Sequence, residues 1–259
     1  SDSIFLLRID PRANTVRGLA LPRDLYAPIQ GLPVYRTGKI NSALFFGSYY
    51  HADGIKAAEE TIGALTGVPI DGTLVVHLRF IEHLINSIGG LEIYFDRPIS
   101  DDTASDLDDT PAPERFESGW NYLDGKRAIR YLRVRRPDTD FGRMRRNQKF
   151  TDAVVQRLRS PAGIAGALRA IPYLGSGVDT DIRPTKVLRL ICKIPSLKNI
   201  EWSSISREDI TPQTLPTGSQ ILVAEPATLK EAGLKLLGEP DHFASATFSA
   251  SPHNPSVQR

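Results

Sequence analysis

The chain has 259 residues, with 32 Lys and Arg against 30 Asp and Glu and a net charge of +2. At 41% hydrophobic residues it can bury a sizeable core, and the near balance of charge excludes a surface coated in positive charge for general nucleic-acid binding. The single cysteine, Cys192, excludes an internal disulfide or a cysteine-built metal cluster, and its setting in RLICKIP reads as a buried small hydrophobe. No run approaches the roughly 20 apolar residues that cross a bilayer, and no secretory signal is visible. SIFLLRID and TVRGLALP read as two strands joined through PRANT, and PRD at 22–24 ends the second. The abrupt strand-like start predicts a processed or truncated chain whose N-terminal address is missing.

A loop carrying KINSA at 39–43 follows. GIKAAEETIGALTG then reads as a helix capped by Asp53, with Ile55, Ala58, Ile62 and Leu65 apolar and Gly67 as its stop. GTLVVHL predicts a buried strand, RFIEHLINSI a helix and GGLEIYF a strand. DRPISDDTASDLDDTPAPE is an acidic surface insertion. GWNYLDGKRAIRYLRVR predicts a turn, a short helix and a strand, and a long helix follows from about Asp140 to about Ile171. SGVDTDIRPTKVLRLICKIPSL gives a polar loop and a helix. ISREDI and SQILVAEP read as strands, and ATLKEAGLKLLGE as the last helix. The alternation predicts one α/β domain over 1–240, a three-layer α/β/α sandwich with a central mixed sheet, and a disordered tail over 241–259.

The charge is concentrated in YLRVRRPDTDFGRMRRNQKF, residues 131–150, where six arginines fall between Arg133 and Arg146. With RYLRVRR as a strand, Tyr131, Arg133 and Arg135 share a face, the two arginines about 7 Å apart. Thr139 or Asp140 can cap the next helix, on which Arg143 and Arg146 lie at i and i+3 beside Asn147. Guanidinium forks take phosphate oxygens in pairs, and a helix start adds N–H groups and a positive dipole end. This favours a compact anion such as a pyrophosphate. Arg136 and Arg145 read as solvated or paired with the acidic insertion. Arg23, Lys39 and Asp2 can join the cluster, a carboxylate suiting Mg²⁺ that bridges phosphate oxygens. The histidines form no ligand-spaced pair; His77 in a strand and His83 in a helix read as core or surface.

SDSIFLLRIDPRANTVRGLALPRDLY, GKINSALFFG, GIKAAEETIGALTGVPID, INSIGGLEI, LDGKRAIRYLRVR and DFGRMRRNQKF, in that order over residues 1–170, resemble the LytR-CpsA-Psr (LCP) family, and GSGVDTDI resembles its next segment. The resemblance implies an extracytoplasmic phosphotransferase at the plasma membrane of the bacterial envelope, held by an N-terminal membrane anchor that is expected upstream of Ser1. It implies transfer of a glycan polymer from a polyprenyl-pyrophosphate carrier to peptidoglycan through a phosphodiester, with a hydrophobic pocket for the lipid tail. LVVHLRFIEHLINSIGG and VVQRLRSPAGIAGALRAIPYL are candidate walls.

By position, the resemblance implies Asp2 as a Mg²⁺ ligand (Mn²⁺ being the other candidate) and Arg23 as the catalytic arginine. Asp24, adjacent to Arg23, is a candidate base, though a role orienting Arg23 by a salt bridge or accepting N–H groups in the turn is favoured. The resemblance also implies Lys39, Arg133, Arg135 and Arg143 as pyrophosphate ligands with Arg146 nearby. The family has an acidic residue ending a strand about a dozen positions before Asp2, which falls outside this chain. It also has glutamine where this sequence has Asn147; Gln148 follows and can substitute. Three other functions fit the same residues: a polyprenyl-pyrophosphate hydrolase with water as acceptor, a non-catalytic lipid or glycolipid carrier, and a transcription regulator. The last is disfavoured by the lack of a helix-turn-helix signature.

Overall fold

The computed structural model describes residues 3–101, 104–108, 110–134, 140–198 and 200–238. In chain order the elements are β1 (Ile4–Asp10), β2 (Thr15–Leu21), β3 (Tyr26–Ile29), β4 (Arg36–Lys39), α1 (Ala43–Tyr49), α2 (Gly54–Thr66) and β5 (Leu74–Val76). Then come α3 (Leu78–Ser87), β6 (Leu91–Phe95), β7 (Ile99–Asp101), β8 (Glu114–Phe116), β9 (Gly119–Leu123), α4 (Gly125–Arg133), α5 (Asp140–Leu158) and α6 (Pro161–Ala170). The rest are α7 (Leu174–Gly177), β10 (Val178–Thr180), α8 (Pro184–Lys193), β11 (Ile200–Ser204), β12 (Ile210–Thr214), β13 (Gln220–Ala224) and α9 (Pro226–Leu237).

The first hairpin forms as its sequence dictates. β1 and β2 run antiparallel with Ile4 opposite Leu21 and Asp10 opposite Thr15. The Asp10 carboxylate fixes the turn by accepting from the N–H groups of Arg12 at 2.8 Å and Ala13 at 3.0 Å, and Asn14 takes the left-handed position at φ 55°. On its other edge β2 pairs in parallel with β11, from Ile200 opposite Val16 to Ser204 opposite Ala20. The sheet is therefore mixed and the fold is α/β. β3 with β4, β6 with β9, β7 with β8 and β12 with β13 are antiparallel pairs, and β5 pairs with β10.

Two apolar clusters carry the packing. Leu6, Leu19, Leu21 and Leu25 meet Leu229 and Leu236 of α9, with Ile62 and Leu65 of α2 against them. The second joins α3, β6, β9, α4 and α5 around Ile85, Leu91, Phe116 and Tyr131. In it the Phe95, Phe116 and Tyr131 rings stand with centroids 5.3 to 5.6 Å apart. Full burial of such a side chain contributes about 1.5–3 kcal/mol. Helices approach closely where glycine allows it: a Cβ on Gly233 of α9 would lie 2.0 Å from the Thr66 carbonyl oxygen of α2, and one on Gly166 of α6 would lie 2.4 Å from that of Ser87.

Several expectations are corrected. The stretch taken as the strand RYLRVRR is the helix α4 as far as Arg133. Asp124 caps it, its carboxylate accepting from the Arg127 N–H at 2.9 Å, and Ala128, Ile129 and Tyr131 form its buried face. GWNYL, expected as a turn, is the strand β9 paired with β6. The long helix breaks after Leu158, where Ser160 caps α6 by accepting from Gly163 N–H at 3.0 Å and Pro161 takes its first turn. β5 is short and largely exposed, because it sits in a two-stranded pair away from the central sheet. Cys192 is exposed, since α8 has no fully buried residue. ISREDI holds a single turn at Arg207–Asp209 before β12 begins. Among the described residues no helix is long and apolar enough to cross a membrane. The tail over 241–259 and Arg136 lie outside the described residues.

Candidate active site

The site is built where β2 ends. Pro22 stops the strand, and the turn closes through Leu25 N–H donating to the Pro22 carbonyl at 3.2 Å. Leu25, 2% exposed, anchors the turn in the core. β13 holds its backbone, as Leu222 N–H donates to the Asp24 carbonyl at 2.9 Å. The segment around Lys39 folds back on this turn: Ile40 N–H donates to Leu25 O at 2.8 Å and Asn41 N–H to Arg23 O at 3.2 Å. Two backbone bonds thus lock PRD against KIN.

The side chains repeat the lock. Lys39 Nζ lies 2.9 Å from Asp24 Oδ1, Arg23 Nε 3.7 Å from Asp24 Oδ2, and Asn41 Nδ2 3.5 Å from Asp24 Oδ1. Asp24 is therefore a carboxylate set between two cations. Asn41 is missed by reasoning from sequence, though it stands two positions after Lys39 in the same short motif.

Arg23 also lines a cavity of about 20 Å³ with Ser3 and Phe5 of the first strand's start and Arg143, Met144 and Asn147 of α5. The register explains the meeting: Ile4 pairs with Leu21, so the first residues of β1 lie beside the turn that leaves β2. α5 crosses this end of the sheet, presenting Arg143 and Asn147 one helical turn apart. Asn147 is buried at 5% exposure, and its Nδ2 donates to Ser3 Oγ. Arg23, Arg143 and Asn147 are thus brought together from three distant segments. Gln148 is half-buried on the same helix.

Other candidates are placed differently. Arg146 is buried at 4% exposure; its Nη2 donates to the Val134 carbonyl at 2.5 Å and its guanidinium carbon sits 5.8 Å from the Tyr131 ring centroid. Arg133 donates from Nη1 to the Asp106 carbonyl. Because α4 is helical, Tyr131 and Arg133 do not share a face: Tyr131 is in the core and Arg133 is turned to the acidic insertion. Arg135 and Asp2 lie outside the described residues. Among the described residues no group of three His, Cys, Asp or Glu gathers to hold a metal ion. His77 caps no strand interior; it precedes α3, with Nε2 2.8 Å from Asp179 Oδ2 at the surface, and His83 stacks on Tyr173 at 4.3 Å.

The acidic insertion answers α4 rather than solvent alone. Arg130 forks onto Asp106, Nε at 2.7 Å and Nη2 at 3.1 Å, and reaches Glu114 at 3.2 Å. Arg130 holds the Asp106 carboxyl below its usual range, chiefly through these hydrogen bonds, and Arg130 itself is raised by Asp106. Arg127 adds a contact to Glu114 at 3.2 Å.

The family profile described as the LytR_cpsA_psr family matches residues 1–231. A curated relative, the polyisoprenyl-teichoic acid–peptidoglycan teichoic acid transferase TagV of Bacillus subtilis (strain 168), is 30% identical over 214 residues, 81% of this chain and 52% of the relative. The transferase of the same description TagU, from Bacillus cereus (strain AH820), is 26% identical over 184 residues, 70% of this chain and 55% of the relative. The chain spans about half the length of these curated relatives. The crystal structure of B. subtilis TagV superposes with a TM-score of 0.73 at 24% identity, covering 92% of this chain and 89% of that one. The shared fold and the profile match across nearly all the described residues make this chain a member of the LytR-CpsA-Psr family.

Proposed function

We propose that this chain transfers a glycan polymer from a polyprenyl-pyrophosphate carrier to peptidoglycan, working in the bacterial cell envelope outside the plasma membrane. The observation that carries the reading is the meeting of Arg23, Arg143 and Asn147 around one cavity, with Asp24, Lys39 and Asn41 clasped beside it. The curated relatives' names describe a transfer of this kind, from a polyisoprenyl carrier to peptidoglycan.

A sugar hydroxyl of the acceptor attacks the glycan-side phosphorus, the bridging P–O bond breaks, and polyprenyl phosphate leaves. The hydroxyl proton passes to the Asp24 carboxylate. Phosphoryl transfer needs placement and charge neutralisation more than covalent help, and Arg23 and Arg143 supply the charge at the leaving phosphate. Lys39, Arg135 and Gln148 belong to the same phosphate-binding reading; Arg133 and Arg146 would join it only by leaving the Asp106 and Val134 carbonyls, and Mg²⁺ with Asp2 enters it only from the family resemblance.

The lipid tail needs apolar surface. Leu74 and Val76 of β5 and Leu188 of α8 keep their side chains exposed, and Lys186 joins the start of α8 to the Asp71 carbonyl before β5 at 3.2 Å. Apolar side chains left at the surface in neighbouring elements suit a prenyl chain.

Arg23→Ala tests the reading. Glycan transfer should fall roughly 100-fold or more, the scale of a lost transition-state charge partner, while the melting profile is kept. Unaltered turnover would overturn it. Release of free glycan phosphate, with or without an acceptor, would make the protein a hydrolase instead.

A further inference from the structure

Beside the clasp lies a second cavity of about 350 Å³, lined by Asp24, Lys39, Thr214 and Gln220 together with the apolar Pro212 and Leu222 among others. We infer that this cavity is the acceptor subsite, which takes one or two N-acetylated pyranose rings of the peptidoglycan glycan strand and delivers a hydroxyl to Asp24. The inference rests on the transfer reading above and names its second substrate's place.

Three observations carry it. First, consecutive residues of one turn serve the two cavities: Arg23 lines the smaller and Asp24 the larger. In phosphoryl transfer the attacking and leaving oxygens stand roughly in line across the phosphorus. A pyrophosphate bound by Arg23 and Arg143 leaves the Asp24 side of the same turn for its nucleophile.

Second, the strand register of the β12–β13 hairpin sorts its residues by distance from the core. Ile210 pairs with Ala224, Pro212 with Leu222 and Thr214 with Gln220, all on one face. Ile210 belongs to the main apolar cluster and Leu222 and Ala224 pack against it, so the Ile210 end of this face meets the core while Pro212, Thr214 and Gln220 are exposed. Its outer end, where Thr214 meets Gln220, becomes the polar rim of the cavity over Lys39 and Asp24.

Third, the lining mixes hydrogen-bond types. Asp24 accepts, Lys39 donates, and the Thr214 hydroxyl and the Gln220 amide do both. Such a set matches the alternating hydroxyl and acetamido groups of a sugar ring. A polyprenyl tail would leave the Thr214 and Gln220 groups unpaired, while a sugar ring can also lay its apolar face on Pro212 and Leu222. The volume lies at the small end of the roughly 300–1,000 Å³ typical of ligand pockets.

The test uses the full chain, a polyprenyl-pyrophosphoryl saccharide as donor and a soluble β-linked N-acetylglucosamine tetramer as acceptor. Gln220→Ala and Thr214→Val should each raise the acceptor KM roughly three- to tenfold, the effect of one lost hydrogen bond, with the donor KM within twofold of wild type. A raised donor KM with an unmoved acceptor KM would assign the cavity to the donor glycan and overturn the inference, as would no change in either. Tetramer binding to lipid-free protein, followed by calorimetry, separates this from the transfer reading. Binding that Gln220→Ala weakens supports the subsite even if wild type only hydrolyses its donor. Absence of tetramer binding to wild type overturns the subsite, whatever Arg23→Ala does to turnover.

Discussion

Lys39 Nζ stands 2.9 Å from Asp24 Oδ1, with the two side chains only 28% and 15% exposed. That pair closes a loop of interactions in which Asp24 also faces Arg23 at 3.7 Å. Removing Lys39 therefore frees Asp24 to draw Arg23 away from a bound phosphate. Lys39→Met and Asp24→Asn should each lower kcat/KM, by roughly tenfold to 100-fold, and the double variant should be little worse than the weaker single, a coupling of about 1.4–2.7 kcal/mol. A double-mutant cycle in kcat/KM checks this. Additive losses would show Lys39 acting on the substrate independently of Asp24.

Asn147 lies between the start of β1 and the Arg23 cavity, bonded to Ser3. Placing a carboxylate there sets a negative charge against a substrate that is itself an anion. Asn147→Asp should raise the donor KM by about tenfold or more, since like charges at short range in a partly dry site repel by a kcal/mol or more. Asn147→Gln, which keeps the amide, should stay within roughly threefold. Steady-state kinetics over a donor series decides, and equal behaviour of the two variants would remove Asn147 from the phosphate site.

Glycine chemistry separates packing from backbone strain. Gly233→Ala drives a methyl to within 2.0 Å of the Thr66 carbonyl oxygen, a backbone atom that cannot swing aside. It should cost about 3 kcal/mol or more, as an overpacked helix crossing does. Gly67→Ala meets nothing within 4 Å but must hold φ at +69°, so about 1–2 kcal/mol is expected. Urea denaturation of both variants measures the difference, and the reverse order would show that the α2–α9 crossing yields easily.

The sequence is most transparent where local chemistry acts alone. The β1–β2 hairpin with its Asp10–Asn14 turn, the Asp53 cap and Gly67 stop of α2, and β6 with its alternating burial all follow from patterns within a few residues. α4 is obscured because Arg-Tyr-Leu-Arg-Val-Arg alternates like a strand while the helix signal sits upstream, in the Asp124 cap and the spacing of Ala128 to Tyr131. That one misreading also places Arg133 wrongly, since a strand would aim it beside Arg135 and the helix aims it at Asp106. β11 goes unread because its pairing with β2 spans most of the chain, and nothing local marks IEWSS as the sheet's third strand. In the site, Arg23, Asp24, Lys39, Arg143 and Asn147 can be named from sequence. Their convergence depends on the register Ile4 to Leu21 and on α5 crossing that sheet end, which are tertiary facts.

The Asp106–Arg130 fork gives the fold a dependence on pH. Arg130 keeps the Asp106 carboxyl below its usual range through hydrogen bonds first and charge second, with Lys126 and Arg133 adding to it. A carboxyl whose folded value is depressed contributes stability that is fully present above its unfolded value, near 3.9 for a free aspartate, and that is lost as pH falls through the folded value. Asp106→Asn should therefore destabilise the protein at pH 7 by about 0.5–1.5 kcal/mol, a figure already reduced for a partly solvated pair. Arg130 keeps Glu114 at 3.2 Å, so the loss stays below that of an orphaned buried cation. As pH drops below about 4 the gap between the two proteins should begin to narrow, and it closes once the pH is below the folded value of the carboxyl. Denaturation midpoints of wild type and variant at pH 7, 5 and 3 measure the gap. A difference that persists unchanged at pH 3 would mean that shape, and not the ion pair, ties the insertion to α4.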